Sequence, residues 1–310
     1  MRPTVSVIIV SDYLPNVDDE LSHFFRCLQA LSDQDFSESV EYITILRASL
    51  PTSTQTQFKK ILPSLKIRVL PNASSPHLKK WGASQATGEI IAFTDADCVP
   101  DRSWISAIVD ALRESPEISV ISGKTVYEEP KILPRACFLI GRALMERRKK
   151  GLTNRLTNHN FAMRQNAFVQ ISFPDCVTPF IGTVMAKMVL DSGHRILYEP
   201  LARTTHVYDG WSFECDIHRN NGYAFIMNRM SYPGLRYSYI ARLSYLGMPI
   251  FYFGRLLQIW WVCLFRFSAY GLAWYELPFA IGLAPVALMY ELSGMLSAIR
   301  KKPLCETAYY

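Results

Sequence analysis

Over its first 125 residues the chain alternates short apolar runs with segments of helical periodicity, and that alternation leaves few folds open. Val5 to Val10 is a continuous β-branched run, as a strand buried on both faces requires. Val17, Leu21, Phe24, Phe25, Leu28 and Leu31 then recur at helical spacing, with Asp18 and Asp19 near the start. Tyr42–Leu46 and Lys66–Leu70 read as further strands, with a helix over Thr52–Leu62 between them. A helix around His77–Ala86 leads through Gly88 into a fourth strand, Glu89–Thr94. Asp101 caps a helix carrying Trp104, Ile105, Ile108, Val109 and Leu112, and Ile118–Ile121 is a fifth strand. This order predicts an α/β fold with a mostly parallel, doubly wound sheet flanked by helices. Ligands in such sheets bind beyond the carboxyl ends of the strands.

The remainder divides by composition. Residues 126–232 are mixed and complete a first domain over 1–232; residues 233–310 form a hydrophobic helical region. Pro134 to Lys150 reads as one helix ending in Arg147-Arg-Lys-Lys150, either a solvated, dipole-matched end or a membrane-surface contact. From Tyr237 to Ile299 aromatic residues abound and charges are few. The longest charge-free stretch, Leu277 to Tyr290, falls short of the roughly 20 residues that span a bilayer. Arg255, Arg266 and Glu276 interrupt the rest, and basic residues flank both sides. Two readings follow: a membrane hairpin or re-entrant pair with both ends cytoplasmic, or an aromatic-rich soluble subdomain. The net charge of +6 forms no basic stripe, so nucleic acid is not an expected partner, while anionic substrates and lipid surfaces are. Seven dispersed cysteines without a CxxC pair suit a reducing compartment. The apolar run at the N-terminus is too short for a secretory signal, which places the catalytic part at the cytoplasmic face of a membrane.

The sharpest chemical signal is Phe93-Thr-Asp-Ala-Asp-Cys98. Two carboxylates two residues apart sit where a buried strand ends, and bare buried charge is costly. A divalent cation bridged to a diphosphate compensates them, since Mg2+ or Mn2+ takes one or two carboxylates plus phosphate oxygens. The plainer alternative is a turn with two solvated aspartates.

Residues 5–210 resemble the family-2 glycosyltransferases, which have the GT-A, Rossmann-like fold. Asn72, Lys79, Gly82, Ala86 and Gly88-Glu-Ile-Ile-Ala-Phe-Thr-Asp-Ala-Asp-Cys-Val-Pro-Asp101 carry the likeness in order. The resemblance implies that Asp95 and Asp97 hold a divalent metal and the donor diphosphate, with Lys79 near the nucleotide or, alternatively, a solvated helix residue. Ser11 and Asp12, where the first strand ends, join them on the donor side. His159-Asn-Phe-Ala-Met-Arg164 is similar to a family segment beside the acceptor, which puts His159 and Asn160 there. Gly193 to Pro200 matches another family stretch, and His206 falls where relatives place a histidine on the metal or phosphates. The expected partners are therefore a nucleotide-sugar donor, a glycan or lipid-linked acceptor of the cell envelope, and membrane lipid. The expected reaction is inverting, metal-dependent transfer to a hydroxyl.

Two departures stand out. The second strand runs into Leu46-Arg-Ala-Ser49 where the family has Asp-Asp-Gly-Ser. Pro179-Phe-Ile-Gly-Thr183 replaces the Glu-Asp pair that supplies the family's base, so Asp175, or else Asp209 or Glu214, becomes the candidate base. A catalytically silent relative acting as a membrane partner is one rival reading. A haloacid-dehalogenase-type phosphatase is another, though that fold opens with its Asp-x-Asp strand.

Overall fold

The computed structural model describes residues 2–11, 18–71, 73–127, 131–171, 173–174, 178 and 180–302, without the side chains of 18–20. Asp12, Asn72 and Asp175 lie outside the described residues.

A nine-stranded mixed sheet organises the described chain. Its parallel half is β3 (Leu65–Val69), β2 (Val40–Leu46), β1 (Val5–Ser11) and β4 (Ile90–Asp95), in that order. The second half is mixed. β8 (Asn160–Arg164) runs antiparallel between β4 and β6 (Val120–Tyr127), and β9 (Ile196–His206) lies parallel to β6. The short strands β5 (Cys98–Pro100) and β7 (Gly151–Thr153) pair antiparallel with β9.

Strand alternation explains why the parallel strands are apolar throughout. Successive side chains point to opposite faces. Val5, Val7 and Ile9 join Tyr42, Leu46, Ile90 and Ala92 in one core layer. It packs on α1 (Asp18–Ser32), α2 (Thr52–Ile61) and α4 (Trp104–Glu114). Ile8 and Val10 join Ile43, Ile45, Ile91 and Phe93 in the other. That layer packs on α3 (Ser75–Ser84), α6 (Gln165–Ile171) and α7 (Gly182–Asp191).

The expected helix over Pro134–Lys150 is shorter. α5 spans Ile132–Gly141, and the chain then turns so that Glu146 is fully buried. There Glu146 accepts from Tyr198 Oη at 2.8 Å and from Arg142 at 2.8 Å. The basic run is neither a helix end nor uniformly solvated, because Lys150 pairs with Glu114 at 2.8 Å and Glu199 at 3.2 Å.

The C-terminal region is helical: α8 (Trp211–Ser231), α9 (Ser238–Arg242), α10 (Gly247–Phe265) and α11 (Leu277–Ile299). α11 lies backbone-to-backbone on α8: a Cβ at Gly222 would stand 1.7 Å from the Glu291 carbonyl, and one at Gly294 1.7 Å from that of Arg219. The charges that interrupt the apolar sequence find partners. Arg255 donates to the Ile140 carbonyl at 2.9 Å, Arg135 pairs with Glu276, and Arg266 lies over the Trp261 ring. The helical stretches Ser244–Phe265 and Trp274–Ile299 are therefore longer than any charge-free run, and both are long and apolar enough to cross a membrane. The five described cysteines are free and buried.

Candidate active site

β4 delivers Asp95 to the carboxyl edge of the parallel strands, where Val10 is its partner in register on β1. The chain continues through Ala96 and Asp97 into β5. Because Cys98 pairs with His206 at the end of β9, the last strand of the sheet carries a histidine to the acid pair. Asp97 is 2% exposed. Its Oδ2 stands 3.3 Å from His206 Nε2.

The tautomer of His206 is constrained. Nδ1 is 2.7 Å from the Val207 carbonyl, an acceptor, so Nδ1 carries the proton. A neutral ring then turns the Nε2 lone pair toward a carboxylate oxygen. Two acceptors face each other stably only with a cation between them: a proton on the ring, or a metal with the carbonyl as orienting partner. Burial disfavours the charged ring, but Asp97, the Val207 carbonyl, Asp209 and Asp95 prevail and raise its pKa above the ordinary histidine value. The ligand atoms of Asp97, Cys98 and His206 all lie within 4.8 Å of one another. Burial, then Asp97 and Asp95, push the Cys98 thiol well above its usual range, so it stays protonated beside Asp97 Oδ1 at 3.5 Å. An oxygen–nitrogen donor set of this kind suits a divalent cation of the Mg2+ or Mn2+ type.

Lys79 is not a solvated helix residue. It is 2% exposed, and Nζ lies 2.8 Å from Asp95 Oδ1 and 3.2 Å from Oδ2. Both residues line a cavity of about 570 Å3 together with Asp97, Tyr127, His159, His206 and Glu214. His159 packs edge-on to His206 at 5.0 Å, and its Nε2 is 3.0 Å from Thr125 Oγ1. Burial, then Arg142, His206 and Lys79, hold His159 well below the usual histidine range, so it is neutral.

The remaining expected residues divide. Asn160 is not on the cavity wall. Its Oδ1 accepts from Trp104 Nε1 at 2.9 Å and its Nδ2 donates to the Lys124 and Ala202 carbonyls at 2.7 and 3.0 Å, so its amide ties β8 to the framework. Ser11 closes β1 beside Leu46 and is 9% exposed. Asp209 lies 3.9 Å from His23 Nδ1, and Asp175 is outside the described residues. Glu214, in the first turn of α8, lines the cavity. Burial pushes its carboxyl up from the ordinary glutamate value, against the neighbouring His218 and a Tyr127 hydrogen bond. Tyr127, Arg142 and Arg155 also line the cavity, yet no motif flagged them, because they reach it from separate elements.

An acid pair at the end of the fourth strand, met by a histidine from the last long strand, places the chain in the GT-A glycosyltransferase fold. A mannosyltransferase structure from Pyrobaculum calidifontis in complex with GDP-Man and Mn2+ has this fold at a TM-score of 0.60 and 15% identity. It covers 97% of this chain and 88% of its own, so the likeness includes C-terminal helices. The crystal structure of GalNAc-T7 with UDP, GalNAc and Mn2+ matches 68% of this chain and 44% of its own at a TM-score of 0.51 and 15% identity. Residues 23–172 match the model of glycosyl transferase family 2. Glycosyltransferase AglE of Haloferax volcanii is 22% identical over 63% of this chain, and a glucosyl-dolichyl phosphate glucuronosyltransferase of the same organism is 22% identical over 44%. The matched regions span 64% and 48% of those two relatives.

Proposed function

We propose that the chain is a glycosyltransferase that moves a sugar from a nucleotide-diphosphate donor to a hydroxyl of a lipid-linked glycan, at the cytoplasmic face of a membrane. The observation that carries this reading is the convergence of Lys79, Asp95, Asp97 and His206 on one cavity at the carboxyl edge of the sheet. Asp95, Asp97 and His206 would hold a divalent cation, which neutralises charge on a departing diphosphate. Lys79 orients Asp95, and Val207 fixes the His206 tautomer. A buried carboxyl such as Glu214 is suited to take the acceptor proton, because its raised pKa brings it toward neutrality. The names of the relatives support the acceptor class, since one acts by name on a sugar joined to dolichyl phosphate. The four parallel-half strands placed before and beside the acid pair, with the family match, leave the phosphatase reading without support.

The test is release of nucleoside diphosphate from a panel of nucleotide sugars, with Mn2+ and lipid-linked sugar acceptors. Release that depends on the acceptor and disappears in Asp97→Asn supports the reading. No release from any donor, with the protein folded, overturns it in favour of a silent relative.

A further inference from the structure

The cavity that holds the acid pair is also lined by Arg155 and Arg255, far from Asp97 in sequence. Arg155 follows β7 and is mostly buried. Its backbone N–H donates to Thr153 Oγ1, but among the described residues its guanidinium has no carboxylate within ion-pair reach. Its electrostatic neighbours are Arg255, Arg147 and Arg236, all cations, and Tyr270.

The surrounding arginines are differently placed. Arg142 pairs with Glu146 at 2.8 Å, Arg147 donates to the Leu152 carbonyl at 2.8 Å, and Arg255 has Glu291 at 3.7 Å besides its carbonyl partners. Among the described residues, Arg155 alone in this group lines the cavity with no side-chain or carbonyl acceptor for its guanidinium. A guanidinium stays charged in proteins, so a desolvated one among like charges is costly until an anion joins it. Tyr237, Tyr239, Ile250 and Phe251, from the α9–α10 region, line the same cavity, and Tyr239 and Ile250 are also exposed outside. A cationic point flanked by apolar wall opening on apolar surface suits an anionic group on an apolar chain, such as a phosphate ester.

We propose that Arg155, supported by Arg255, binds the phosphate that joins the acceptor sugar to its lipid, with the apolar chain leaving along α9 and α10. This rests on the glycosyltransferase reading for the identity of the acceptor, but not for the binding event. With the phosphate at Arg155, the acceptor sugar occupies the cavity between it and the acid pair. The arginine fork suits phosphate better than lysine would, since it offers paired, planar donors.

The experiment measures binding of decyl phosphate, decanol and a nucleoside diphosphate with Mn2+ to the full chain, by calorimetry and thermal shift. Wild type should bind decyl phosphate more tightly than decanol. Arg155→Gln should weaken decyl phosphate binding by about 10–100-fold, Arg155→Lys by less, and both should leave nucleoside diphosphate binding unchanged. Unliganded Arg155→Gln should melt at or above wild type, because an unpaired charge has been removed. Equal binding of decyl phosphate by wild type and Arg155→Gln overturns the proposal, as does no preference over decanol. A sharp loss of unliganded stability makes Arg155 structural and overturns it too. Loss of nucleoside diphosphate binding instead assigns Arg155 to the donor and overturns the acceptor role. If no donor is turned over yet decyl phosphate binding follows this pattern, the transferase reading fails and the phosphate site stands.

Discussion

At the residue scale, the closeness of Asp97 and His206 was legible, because one motif at one strand end pointed to Asp95 and Asp97 and a family position pointed to His206. Their surroundings were not. The Lys79–Asp95 pair joins a helix residue to a strand end across 16 positions, and neither residue type nor spacing distinguishes such a lysine from a solvated one. Asn160 shows the reverse: its place in the acceptor-like segment suggests chemistry, while three hydrogen bonds tie its amide to the framework. Asp97→Asn should lower turnover by about 10³-fold or more, since several kcal/mol of charge stabilisation are lost and each 1.4 is tenfold. Mn2+ binding, followed by its paramagnetic resonance, should weaken in parallel while the melting temperature holds. Normal turnover in that variant, or in wild type with excess chelator, removes the metal from the mechanism. The base is tested by comparing Glu214→Gln, Asp209→Asn and Asp175→Asn for turnover and melting. Loss of a general base costs about 10²–10⁴-fold. Glu214 has a raised pKa, so its carboxylate, the form a base needs, is lost as pH falls through that raised value. The wild-type rate should therefore fall on the acid side at a pH above the usual glutamate range, and Glu214→Gln should abolish that limb. A limb that survives in Glu214→Gln moves the role to one of the two aspartates.

At the element scale, the parallel half of the sheet was legible because a strand buried on both faces must be apolar at every position, as β1, β2 and β4 are. β5 and β7 have three residues each, too few to show a period, and β8 opens with a buried asparagine. The end of α5 was misread because the Glu146 carboxylate, not helix propensity, decides where the chain turns. A second buried glutamate, Glu41, gives the sheet a pH dependence. It accepts from Ser6 Oγ at 2.5 Å, Lys66 Nζ at 2.5 Å and Thr87 N at 2.9 Å, which joins β2 to β1, β3 and the turn before β4. Burial opposes ionisation, but the bonds to Lys66, Ser6 and Thr87 win and lower its pKa to about 2. A depressed carboxyl contributes stability above the unfolded value near 4.3 and loses it as pH falls toward 2. Wild type should lose about 2–3 kcal/mol over that window from this group, and Glu41→Gln should show a flatter acid limb from a lower starting stability. The α8–α11 seam gives a sterically cleaner test. Gly294→Ala should cost at least about 1–3 kcal/mol, because its methyl group meets a backbone carbonyl that cannot rotate away. Gly282→Ala on the same helix meets nothing within 4 Å and should be neutral or stabilising. Equal melting of the two variants would show that the helices are not in backbone contact.

At the scale of the whole molecule, the question is what covers the outside of the C-terminal helices. Ile250, Phe253, Leu257, Trp261 and Leu264 recur three or four residues apart along α10, and each is between 43% and 64% exposed. Trp274, Tyr275, Phe279, Val286 and Met289 are exposed at and along α11. Soluble monomers rarely leave so much contiguous apolar surface in water. The charges of the same region, Arg255 and Glu276, are drawn onto partners within the protein, so the outward face is more apolar than the sequence as a whole. A helix with one apolar outward face inserts into a lipid surface with its buried polar face kept on the protein. Deleting α10 and α11 would be a poor test, because it would also strip the seam from α8 and expose Gly222. Substituting the outer face alone avoids this. Phe253 and Leu257 are 62% and 64% exposed, lie one turn apart and touch no described catalytic group. Phe253→Glu with Leu257→Glu should leave melting within about 0.5 kcal/mol per site, as surface changes do. The same pair should reduce flotation with anionic vesicles at least about tenfold, since burying each apolar side chain is worth roughly 1.5–3 kcal/mol. Turnover of a water-soluble acceptor should persist in the double variant, while turnover of a vesicle-embedded lipid-linked acceptor should fall with flotation. If the wild-type chain stays soluble without detergent and ignores vesicles, the outward face of α10 is an ordinary protein surface and the membrane reading is wrong.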